Sequence, residues 1–87
     1  MSVYMVERSL KGISMDDLGA AQQAAIATAQ AMTAQGTPVR YIRSAFVPES
    51  GACRCLFEAD EAAAVKRVNE TAGLPFDRVV EAMDLTP

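Results

Sequence analysis

The 87-residue chain contains no histidine and no tryptophan. Without histidine it lacks the side chain that most often serves as a general base near neutral pH and as a transition-metal ligand. Two tyrosines and three phenylalanines are its only aromatic residues. Its core must therefore be built mainly from Ala, Val, Met, Leu and Ile. Positive charge is also scarce: eight basic residues face eleven acidic ones, for a net charge of −3. No basic stripe is available to neutralise a phosphate backbone, so a nucleic-acid partner is not expected. No apolar run approaches the roughly 18–20 residues of a membrane span. The opening "MSVYMVERSL" has no signal-peptide layout. The expectation is a cytoplasmic chain with reduced thiols and no membrane partner.

About half of the residues are apolar (51%), the proportion of a globular domain and too high for disorder. The length suits one domain, residues 1–87. A chain this short buries only about 60–65% of the surface its unfolded form exposes, so it would gain from a partner. "SVYMVERSL" (Ser2–Leu10) reads as a first strand. Ser14 followed by Asp17 resembles a capping box and opens an Ala- and Gln-rich helix to about Gln35. Met15, Leu18, Ala25, Ile26, Ala29 and Met32 share one helical stripe. Gly36 and Pro38 stop the helix. "PVRYIRSAFV" (Pro38–Val47) and "ACRCLFEA" (Ala52–Ala59) read as strands joined by the "PESG" turn. Asp60 is the expected N-cap of a second helix, Glu61 to about Ala72. "DRVVEAMDL" (Asp77–Leu85) reads as a fourth strand. The order strand, helix, strand, strand, helix, strand is that of an α+β, ferredoxin-like βαββαβ domain. Right-handed crossovers place both helices on one face of a four-stranded antiparallel sheet and leave the other face bare.

Alternation along strands divides the residues between two faces. The even set, with Val6, Ile42, Phe46, Leu56, Val80 and Ala82, is expected under the helices. The odd set, with Met5, Glu7, Tyr41, Arg43, Cys53, Cys55, Phe57, Val79, Glu81 and Met83, is expected on the bare face. That set carries more apolar area than a soluble monomer usually exposes. A second copy packed sheet to sheet would cover it, as in a dimeric α+β barrel. Buried carboxylates cost several kcal/mol each unless paired or hydrated. Glu7, Arg43 and Glu81 therefore point to a cavity between the sheets holding water or a ligand.

Cys53 and Cys55 are too close for a Cys-x-x-Cys redox or zinc motif, and parallel side chains on one strand close a disulfide poorly. They read as pocket-lining hydrophobes, or as two metal ligands that need carboxylates to complete the site. Glu7 and Glu81, on strands that this topology makes neighbours, offer an acid/base pair near Tyr41 and Arg43. No glycine-rich phosphate loop or nucleophile elbow is present.

The segments "YMVER", "RYIRSAFV", "CLFEADEAAAV" and "AGLPFDRVVEA" occur in an order that resembles the domain-of-unknown-function family 4242 of small bacterial, nickel-binding-protein-like chains. The resemblance covers nearly the whole chain. It implies a ferredoxin-like fold, a homodimer and a nickel site. The residues themselves imply no cofactor, because without histidine a metal would depend on thiolates and carboxylates. The sequence reading is thus a homodimeric small-molecule-binding protein with its pocket on the sheet face away from the helices. Glu7, Tyr41, Arg43, Cys55, Phe57 and Glu81 are its expected ligand contacts. A nickel-binding protein and a cofactor-free isomerase, cyclase or monooxygenase of the dimeric α+β barrel type are the alternatives.

Overall fold

A computed structural model describes all residues, 1–87. Six elements follow in the order β1 (Ser2–Ser9), α1 (Met15–Ala34), β2 (Val39–Val47), β3 (Ala52–Ala59), α2 (Ala62–Thr71) and β4 (Arg78–Ala82). The α1 start is as read: Ser14 Oγ accepts from the Asp17 N–H at 3.1 Å, and Asp16 and Asp17 face the positive end of the helix. Its end falls at Gln35, with Gly36 at φ +101° carrying the chain out of the helix. The α2 start differs. Glu61, not Asp60, is the capping residue, and it makes no side-chain cap hydrogen bond. β4 is shorter than expected and ends at Ala82. No helix is long and apolar enough to cross a membrane.

The sheet order is β2-β3-β1-β4, and every neighbouring pair is antiparallel. This is the ferredoxin-like arrangement, with each crossover skipping one strand. Its register keeps the expected sides of β1 but reverses those of β3 and β4. Val6 of β1 pairs with Cys55 of β3 and with Val79 of β4. Directly opposed residues share a face, so even positions of β1 align with odd positions of β3 and β4. The helix side of the sheet therefore carries Tyr4, Val6 and Arg8 with Cys53, Cys55, Phe57, Val79 and Glu81. Leu56, Val80 and Ala82, expected under the helices, lie on the open side with Met5 and Glu7.

β2 adds a second shift. Tyr41 pairs with Phe57 and Arg43 with Leu56, so Ile42 is an extra residue in a β-bulge. Before the bulge the odd residues Val39 and Tyr41 face the helices. After it the even residues Ser44 and Phe46 do, and Arg43 turns to the open side. Parity assigned from one end of the strand cannot reveal such an insertion. Tyr4, Phe57 and Tyr41 consequently form one aromatic row across three strands. Phe57 is fully buried, and its ring meets that of Tyr41 edge to face at 5.4 Å. Val6, Val65, Val68, Ala25, Ala29 and Met32 close the core around it. Of the expected α1 stripe, Met15 is the exception at 73% exposed.

Candidate functional site

The core is not filled to the end of the sheet. Beneath the first half of α1 lies an open cleft of about 270 Å³. Fourteen residues line it and ten are hydrophobic, so its walls suit an apolar body. Leu18 and Ala21 come from α1, Phe46 from β2, and Leu10 and Ile13 from the β1–α1 turn. Leu74 and Pro75, after α2, form another part of the wall.

The polar groups of the cleft form a connected chain. Gln22 Nε2 donates to the Tyr41 hydroxyl at 3.0 Å. That hydroxyl and Ser44 Oγ share a hydrogen bond at 2.6 Å, and Ser44 Oγ donates to Cys55 Sγ at 2.9 Å. Cys55 Sγ in turn lies 3.8 Å from Cys53 Sγ. The bulge at Ile42 makes this chain possible, because it places Tyr41 and Ser44 on the same face three residues apart. Both thiols are free and buried. Burial, with Cys55 beside it, pushes the Cys53 thiol up to about 11, so it keeps its proton at neutral pH. The folded chain therefore holds this proton more tightly than the unfolded chain. That contribution to stability is whole below about pH 9 and declines as pH rises toward 11.

The six expected contact residues do not form one site. Tyr41 and Cys55 line the cleft on the helix side. Phe57 belongs to the core beneath it. Glu81, paired with Tyr4, is on the helix side but exposed and outside the cleft. Glu7 and Arg43 are on the open face. Glu7 is clamped by Arg54 at 3.3 Å and by Arg78, its cross-strand partners on either side. Arg43 instead meets Asp84 of the C-terminal segment at 3.1 Å. The carboxylates of Glu7 and Glu81 thus lie on opposite faces, which removes the acid/base pair expected of them. The thiols and Tyr41, expected on the face away from the helices, open instead to the helix side, because odd positions of β3 align with even positions of β1 and Tyr41 pairs with Phe57. Gln22 and Ser44 are cleft residues that alternation did not single out, and Arg8, which alternation with Val6 places under the helices, is a third that was not among the expected contacts. Ser44 is hidden by the bulge, and Gln22 is one of several similar glutamines on α1.

A metal requires more donors than the cleft offers. No group of three His, Cys, Asp or Glu side chains converges anywhere in the chain. The two thiols have a hydroxyl as their nearest further donor, and Arg8 and Arg54 bring positive charge toward Cys53. This donor set within one chain does not fit nickel.

Fold and cleft define a small ferredoxin-like domain with an apolar cleft between its first helix and its sheet. The chain belongs to the family described as "Nickel responsive protein SCO4226-like", whose profile matches residues 4–82. In agreement, it superposes on the crystal structure of SCO4226 from Streptomyces coelicolor A3(2) with a TM-score of 0.81 at 31% identity. The match covers 98% of this chain and all of the other. Among curated proteins none matches the chain.

Proposed function

We propose that this chain is a small-molecule-binding protein whose site is the cleft between α1 and the helix side of the sheet. The observation that carries this reading is an apolar cavity crossed by one continuous row of polar groups, from Gln22 to Cys53. Apolar walls supply affinity, and a few placed polar groups orient a ligand. The neutral fluorescent probe N-phenyl-1-naphthylamine should brighten on binding the wild-type chain. Ala21→Phe, which places a ring in the cleft, should abolish that signal while costing no more than about 1–3 kcal/mol of stability. Equal binding by both chains would put the apolar site elsewhere. A nickel-induced thermal shift lost in Cys53→Ala would favour a metal site instead.

We further propose a homodimer through the open sheet face. Met5 sits opposite both Leu56 and Val80 in register, giving a half-buried apolar row across β3, β1 and the edge strand β4. The charges around it are already matched as Glu7 with Arg54 and Arg78, and Arg40 with Glu58. Pairing lowers the desolvation cost of covering them. Sedimentation equilibrium should give a dimer for the wild-type chain and a monomer for Leu56→Glu. A monomeric wild type would overturn the interface.

A further inference from the structure

One end of the cleft is charged. Arg8 lines it and is only 4% exposed. Its guanidinium donates to Asn69 Oδ1 at 2.7 Å and to the Pro75 carbonyl at 3.1 Å. Both acceptors are neutral, and none of the four ion pairs of the chain includes Arg8. The neighbouring carboxylate, Glu7, is engaged on the other face of the sheet. The Cys53 thiol, opposite Arg8 in register, keeps its proton at neutral pH. The C-terminal end of α2 contributes a partial negative charge of at most about half a unit. A cation taken out of water without a counter-charge costs several kcal/mol, and here it borders a cavity whose other walls are mostly apolar.

We propose that the cleft takes a small organic monoanion, a carboxylate on an apolar body, with Arg8 as its counter-charge. This rests on the cleft being the ligand site. A guanidinium matches a carboxylate in charge and in plane, and three of its five N–H groups remain beyond the two given to Asn69 and Pro75. One arginine balances one negative charge, so a dianion would leave an excess. The apolar walls formed by Leu10, Ile13, Leu18, Phe46 and Leu74 exclude a bare inorganic anion, which would lose its water and gain nothing from them. A volume of about 270 Å³ lies just under the roughly 300–1,000 Å³ of drug-sized pockets, so the ligand is small.

Octanoate and octanamide, equal in length and differing in charge, test this by calorimetric titration. Wild-type chain should bind octanoate on the order of tenfold or more tightly than octanamide. Arg8→Met should erase that gap while still binding the amide, and Arg8→Lys should keep part of it. Should Arg8→Met fail to fold, the wild type decides alone: the Arg8 side-chain N–H resonances should shift with octanoate and not with octanamide. Equal wild-type affinities would overturn the anion inference and leave the cleft reading standing. A preference for octanoate that survives Arg8→Met would also overturn it, by placing the anion elsewhere. Binding of neither probe would remove both readings.

Discussion

Phe57→Ala should lower the unfolding free energy by about 3–5 kcal/mol. Phe57 is fully buried at the centre of the sheet, between Tyr4 on one neighbouring strand and Tyr41 on the other. Removing its ring takes away transfer energy and leaves a cavity bounded by strands that cannot collapse onto it. It also removes the edge-to-face contact with Tyr41, a geometry worth about 0.5–1.5 kcal/mol beyond area alone. For 87 residues the whole stability is of the order of 4–13 kcal/mol, so the variant should lose about a quarter or more of it. Urea unfolding followed by circular dichroism measures the loss. The size of the effect separates two placements of the same side chain. In the monomeric Leu56→Glu background a phenylalanine on the open face would cost about 1 kcal/mol or less on truncation, and such a result there would contradict the odd-to-even register.

The order of elements was legible because each signal is local. Ser14 and Asp17 start α1, Gly36 ends it, and "PESG" turns the β2–β3 hairpin. The faces were not legible, because alternation within a strand says nothing about its phase against the next strand. That phase is set by pairing over long separations, as between Val6 and Cys55. Two of the expected contacts, Tyr41 and Cys55, still reach the cleft, since they are adjacent on the same side of the sheet whichever side that is. Glu7 and Arg43 were separated from them by register and by the Ile42 bulge. Arg8 was the least visible. Nothing local distinguishes a buried unpaired arginine from Arg54 or Arg78, which find Glu7 on the opposite face.

Gly51→Ala should be about as damaging as the loss of the Phe57 ring, at about 3 kcal/mol or more, and for a reason remote from the core. Gly51 is buried with φ +79°. Its N–H closes the hairpin turn on the Val47 carbonyl at 2.8 Å, and its own carbonyl accepts from the Leu10 N–H at 2.7 Å. It thereby ties the β2–β3 hairpin to the turn between β1 and α1. A Cβ at this position would fall on the backbone nitrogen and Cα of Lys11, well inside contact distance. Backbone cannot rotate aside as a side chain can, so one of the two turns must move. Gly12→Ala is the matched control, since Gly12 has φ +85° but nothing within 4 Å of an added Cβ. It should show only the torsional cost of about 1–2 kcal/mol. The difference between the two variants in thermal or urea unfolding isolates the steric clash, and equal losses would show that the turns yield freely. Leu10, beside Lys11, and Ile13, two residues beyond it, both line the cleft. A displaced turn therefore moves a wall of the ligand site, and Gly51→Ala should weaken N-phenyl-1-naphthylamine binding even below its melting temperature, whereas Gly12→Ala should not.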